Sequence, residues 1–171
     1  MKIKKIKFFL LLIFIGCDYT SSYDLKCNSH LYDLIEKSSI ETWNREGVKL
    51  ISQGGSFIYG IAKLDLTYSQ IIDSKFDINK SRIIIFNVIN SLLDTINENK
   101  KIRKYLINFP FTVNNLDIGI IFYDKQENEI WHSVILSNNK LVYLKNVGKF
   151  EKLEKIYEES IDEALEKLNQ T

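Results

Sequence analysis

The sequence predicts an α+β domain, a mostly antiparallel sheet of about five strands packed against helices, in the order α-β-β-α-β-β-β-α. Three observations predict it. Alternating apolar segments are joined by short polar loops, which dictates antiparallel neighbours. Between Ile78 and Ile96 the apolar residues recur at helical spacing. From Phe150 to Leu168 a second such stripe closes the chain.

The elements follow in order. Asn28 or Ser29 is a candidate cap for a first helix whose apolar residues are Leu31, Leu34 and Ile35. Ser38-x-x-Glu41 has the pattern of a capping box, so a further helical turn is expected up to Glu46, with Gly47 as the stop. Val48 to Ser52 reads as a short strand. Phe57 to Leu66 reads as a second strand that alternates, with Ile58, Gly60, Ala62, Leu64 and Leu66 on one face and Phe57, Tyr59, Ile61, Lys63 and Asp65 on the other. Gln53-Gly54-Gly55-Ser56 is the expected hairpin turn between them. The pair Gly54-Gly55 lacks the lysine and the helix N-terminus that a phosphate cradle needs.

Ile85, Val88, Ile89, Leu92, Leu93 and Ile96 place Ile78 to Ile96 in a buried helix. Ile102, Tyr105 and Leu106 extend it or form a short separate helix before Pro110. Leu116 to Tyr123, Ile130 to Leu136 and Lys140 to Lys145 are expected strands. Lys125 to Asn128 forms a polar loop between the first two. Ser137-Asn138-Asn139-Lys140 is a tight turn between the others, because asparagine tolerates positive φ. The last helix is expected to carry Phe150, Leu153, Ile156, Tyr157, Ile161, Ala164, Leu165 and Leu168 on one stripe. Its solvated face holds Glu151, Glu154, Glu158, Glu159, Asp162, Glu163 and Glu166. Glu151–Lys155 and Glu163–Lys167 have supporting i,i+4 spacing. This order of elements resembles that of roadblock-like and profilin-like α+β domains, a resemblance of order alone.

The N-terminus carries the strongest statement about location. Lys2, Lys4, Lys5 and Lys7 precede the apolar run Phe8 to Ile15, and Gly16-Cys17 closes it. A run of about 8 residues covers about 12 Å as a helix, too little for a hydrocarbon core about 30 Å thick. Phe14-Ile15-Gly16-Cys17 resembles the lipobox of bacterial lipoproteins, with phenylalanine where leucine is usual. That resemblance implies residues 1–16 as a signal peptide, acyl chains on Cys17, and a lipid anchor in the bacterial cell envelope. Residues 17–25 would be a flexible tether and 26–171 one globular domain. More than one acyl chain makes such attachment stable.

Composition narrows the partners. Removing residues 1–16 takes four of the 23 basic residues, leaving 19 against 22 acidic ones. That balance disfavours nucleic-acid binding, which needs excess positive charge. Cys27 is the one cysteine besides Cys17, so the domain has no internal disulfide and depends on its core.

No catalytic constellation, metal-ligand spacing or cofactor motif is present in linear form. His30 and His132 are far apart. A dispersed Ser-His-Asp triad of His132 with a serine elsewhere and, for example, Asp117 or Asp124 is geometrically possible. Lys100, Lys101, Arg103 and Lys104 form the densest basic cluster, suited to lipid headgroups or to a helix C-terminus. Phe109-Pro110-Phe111 is a stiff apolar segment, and Phe109 and Phe111 are candidates to meet a partner. The expected activity is therefore non-enzymatic binding of an unknown protein or small ligand at a membrane. The alternatives are an envelope hydrolase near His132 and an immunity or inhibitor lipoprotein.

Overall fold

A computed structural model describes residues 22–57, 59–73, 75–125, 131–146 and 153–170, with the backbone alone at 22–28, 124 and 131. Helix α1 spans Ser22–Glu46, and strands β1 (Lys49–Ser56) and β2 (Lys63–Ile72) follow. Next come α2 (Ile78–Glu98), the short α3 (Lys100–Arg103) and a 3-10 turn at Val113–Asn115. Strands β3 (Leu116–Asp124), β4 (Trp131–Ser137), β5 (Lys140–Asn146) and β6 (Leu153–Ser160) lead into α4 (Ile161–Asn169).

The class is α+β, with a sheet of six strands in sequential order β1 to β6. All neighbours are antiparallel except β2 and β3, which run parallel. A parallel pair cannot be closed by a hairpin, and the crossover through α2 and α3 supplies the long connection it needs. The alternation along the strands decides the layers. Leu64, Leu66 and Tyr68 on β2, Ile118 and Ile120 on β3, and Val134 and Leu136 on β4 are buried on one face. They meet Ile85, Val88, Ile89, Leu92 and Ile96 of α2, the residues whose spacing announced that helix. Truncating Leu92, which is fully buried, should cost about 2–5 kcal/mol.

Helix α1 packs across α2. Its buried positions Leu31, Ile35, Ser38 and Thr42 follow helical spacing, and two of them are small and polar. Thr42 Oγ1 donates to the Ser38 carbonyl (2.7 Å), and Ser38 Oγ lies 3.5 Å from Ser91 Oγ of α2. Ser38 is therefore an interior contact and not the start of a helix, and Asn28 and Ser29 lie within α1 and do not cap it. The helix runs unbroken because no glycine or proline occurs between Ser22 and Glu46. Ser22 to Leu25, expected in the tether, belong to its backbone. Gly47 ends it as expected, at φ +69° with its N–H donating to the Trp43 carbonyl.

Two further expectations fail. Gly54 and Gly55 lie inside β1, paired with Asp65 and Leu64. The connection falls at 57–62, where Tyr59 and Gly60 take positive φ. A Cβ on Gly60 would stand 2.7 Å from the Tyr105 carbonyl oxygen, so this close approach requires glycine. Ile61 leaves the hairpin to bridge Leu106.

The second failure is the C-terminal helix, whose first half is strand β6. Tyr143 pairs with Tyr157 and Leu141 with Glu159, so Glu159 points inward on a strand instead of outward on a helix. Lys155 pairs with Glu158, and Lys167 reaches Glu159. Phe150 and Glu151 lie outside the described residues. Helix α4 starts at Ser160, where Ser160 Oγ accepts from Glu163 N–H and the Glu163 carboxylate accepts from Ser160 N–H. The Asn138-Asn139 turn is as expected, both residues at positive φ.

Candidate functional site

Two polar arrangements stand out, one on each face of the sheet. On the helix-covered face, Arg82 of α2 meets Glu159 of β6. The guanidinium donates Nε to Glu159 Oε1 (2.7 Å) and Nη2 to Oε2 (3.0 Å). Its Nη1 donates to Asn79 Oδ1 (2.7 Å). Tyr143 O–H donates to Glu159 Oε1 (2.7 Å), and Lys167 Nζ donates to Oε2 (2.8 Å) and to the Tyr157 oxygen. Both Arg82 and Glu159 are buried.

The electrostatics follow from these contacts. Burial opposes the Glu159 charge, but hydrogen bonds from Arg82, Lys167 and Tyr143 outweigh it and hold the carboxyl below its usual range. Burial works against the Arg82 charge as well, and the bond to Glu159 reverses that. Burial, then the neighbouring carboxylate, pushes the Tyr143 hydroxyl up. The carboxylate accepts four hydrogen bonds in this cluster. It is a closed structural clamp joining α2, β5, β6 and α4, with the charge neutralised in place.

No described helix covers the open face of the sheet. Here β2, β3 and β4 present Thr67, Gly119, Ile121, Ser133 and Ile135, and Leu153 of β6 overhangs them. They enclose a groove of about 260 Å³. Gly119 keeps the floor low, because it has no side chain on a strand whose neighbours are isoleucines. A Cβ there would meet only Thr67, at 3.8 Å, so the groove exists by residue choice and not by backbone strain.

Asp65, Thr67, Asp117 and Ser133 are the polar residues of this largely apolar groove, and two of them carry buried atoms without a partner among the described residues. At one end the Lys63 ammonium binds Asp117 Oδ2 (2.5 Å), while Asp117 Oδ1 has no hydrogen-bond partner among the described residues. Toward the other end Ser133, which is 3 % exposed, has a hydroxyl with no such partner either. The register sets them apart along the strands, since Ser133 pairs with Ile121, four residues beyond Asp117. A groove lined by apolar side chains with a few unsatisfied polar groups has the form of a small-ligand site.

The sequence candidates distribute unevenly. His132 pairs with Phe122 and stacks on Phe76 at 4.5 Å between ring centres, on the helix-covered side. Asp117 lies on the open face, so the sheet stands between them and that pairing cannot form. The Asp124 side chain lies outside the described residues. Among the described residues no group of three His, Cys, Asp or Glu side chains converges to hold a metal ion. Phe111 is buried, with its N–H donating to Asn97 Oδ1 and its carbonyl accepting from Asn97 Nδ2, so it closes the core and is not a contact for a partner. Phe109 is 48 % exposed. Lys100, Lys101, Arg103 and Lys104 are exposed on and just after α3, capped by Asn99. No described helix is long and apolar enough to cross a membrane. Cys17 lies outside the described residues.

Sequence reasoning missed the groove. Its one linear signal is Gly119 in an isoleucine-rich strand, which on its own reads as a weak spot in a strand. Comparison with protein-family profiles, with curated proteins and with solved structures found no match to this chain.

Proposed function

We propose that this protein is a membrane-anchored envelope lipoprotein whose α+β domain is a non-enzymatic binding module. Its ligand site is the groove on the open sheet face. The observation that carries the reading is the Ser133 hydroxyl, buried at a largely apolar groove with no partner among the described residues. A buried hydroxyl left without a partner costs about 1–3 kcal/mol. A ligand group that bonds it recovers that cost on binding, and a ligand without one does not. The groove suits a small, largely apolar molecule with one hydrogen-bonding group near Ser133. A donor or cation at the other end would meet Asp117 Oδ1.

The anchor part of the reading rests on the basic, apolar and Gly16-Cys17 segments of the N-terminus. It predicts a mature chain beginning at acylated Cys17, read as the intact mass of protein from its native membrane fraction. The binding part is tested with Nile red, an apolar dye whose emission rises on leaving water. The full chain should enhance its emission, and Gly119→Val, which fills the floor, should abolish most of the difference. Equal enhancement by the variant and the parent would remove the groove from consideration.

A further inference from the structure

We infer that one corner of the domain is a second membrane contact, which seats the protein on an anionic lipid surface with a fixed orientation. This inference rests on the lipid-anchor reading above and adds to it the face that meets the bilayer. The corner gathers residues distant in sequence. The bridge between Ile61 and Leu106 holds the 57–62 connection against the segment after α3, through Ile61 N–H to the Tyr105 carbonyl (2.7 Å) and Ile107 N–H to the Ile61 carbonyl (3.0 Å). Tyr59 projects from this corner, 96 % exposed at φ +63°. Ile107 and Phe109 are also about half exposed. The Arg103 guanidinium lies 4.1 Å from the centre of the Phe109 ring.

Apolar and aromatic side chains this exposed are costly in water and at home in the interfacial zone of a bilayer, where tyrosine and other rings collect. The charges beside them have the matching sign. Lys100, Lys101, Arg103 and Lys104 are exposed, and each Lys or Arg near an anionic surface strengthens attachment about fivefold. The stacked Arg103 and Phe109 combine the two, a cation at headgroup depth over a ring below it.

The path of the chain supplies an independent reason. Helix α1 runs antiparallel to α2, since Arg45 Nη2 donates to the Asn87 carbonyl while Ser38 meets Ser91. Continuing that register brings the start of α1 toward α3, on which α1 also packs. Cys17 precedes Ser22 by five residues, a reach of at most about 18 Å. Acyl chains on Cys17 and the basic, aromatic corner therefore address the same surface. Together they are the two signals that stable peripheral attachment needs.

The test places an indole at the corner of the full chain with Phe109→Trp, and at the far end of β2 with Ile71→Trp, where the side chain is 64 % exposed. Each protein is added to phosphatidylglycerol vesicles carrying brominated acyl chains, and its emission is compared with the parent, which holds Trp43 and Trp131. The inference expects strong bromine quenching of the indole at 109 and little at 71. Replacing Lys100, Lys101, Arg103 and Lys104 by Gln should weaken the quenching at 109 at limiting lipid. Equal quenching at both positions, or none at 109, overturns the inference. The intact mass at Cys17 from the same preparation reports separately on the anchor.

Discussion

Two buried polar sites, one on each face of the sheet, are treated in opposite ways, although the Tyr68 hydroxyl on the helix-covered face also has no partner among the described residues. On the helix-covered side, the Glu159 carboxylate accepts four hydrogen bonds and its charge is balanced by Arg82 and Lys167. On the open side, Ser133 is almost as deeply buried and its hydroxyl has no partner among the described residues. A carboxylate cannot be left like that, because an unpaired buried charge would cost several kcal/mol, whereas a hydroxyl can. The difference separates a clamp that holds the fold from a site kept open at a tolerable cost.

Breaking the clamp should produce the largest effect. Arg82→Ala leaves Glu159 buried and opposed only by Lys167, and should destabilise the domain by about 3–5 kcal/mol in urea unfolding. Replacing both partners with apolar residues, Arg82→Met with Glu159→Leu, should recover most of that loss. If the double variant is as unstable as the single, the clamp contributes more than charge balance.

Acid should weaken the same clamp. The folded carboxyl of Glu159 titrates below the ordinary glutamate value of 4.5, so its contribution is fully present above that pH. As the pH falls through the depressed folded value the contribution is lost. Unfolding free energy should therefore fall below pH 4.5, and the slope should shrink in Glu159→Gln. An unchanged slope in that variant would assign the acid sensitivity elsewhere. Glu158, held at about 2 by Lys140 and Lys155, adds a smaller contribution of the same sign, reduced by solvent screening.

Tyr143→Phe removes one donor to the charged Glu159 and should cost about 1.5–3 kcal/mol. Ser160→Ala removes the cap of α4 and should cost about 1 kcal/mol, read in the same unfolding assay. The sharpest contrast is the smallest change. Ser133→Ala deletes a buried hydroxyl that bonds nothing described, so stability should stay level or rise by up to about 1 kcal/mol. A substantial loss of stability in Ser133→Ala would mean that the hydroxyl is already satisfied and that the comparison between the faces fails.

Much of the architecture was legible in the chain. The spacing Ile85-Val88-Ile89-Leu92-Ile96 placed α2, because a period near 3.6 over about three turns has no other regular reading. Alternation placed β3, β4 and β5, and Asn138-Asn139 placed the turn between the last two. The Phe150 to Leu168 stripe misled because its first half has helical spacing although that segment pairs as strand β6. Tyr157 and Glu159 form the inward i,i+2 face of β6, and a glutamate there reads as surface until Arg82 is brought 77 residues back to meet it. The signal that divides strand from helix, Ser160-x-x-Glu163, lay inside the stripe and was outweighed by it.

By itself, then, the sequence determined the α+β class, the central helix, the meander, and the basic apolar N-terminus that motivates a membrane anchor. These are local properties, set by period, turn chemistry and composition within a few residues. Only the tertiary structure decided that Phe111 is core, that His132 and Asp117 lie on opposite faces, that Ser133 borders a groove floored by Gly119, and that Tyr59 joins Ile107, Phe109 and Arg103 at one corner. Each of these depends on which segments pair across the sheet. Pairing is fixed by burial summed over the whole domain, and no single stretch of the chain carries that sum.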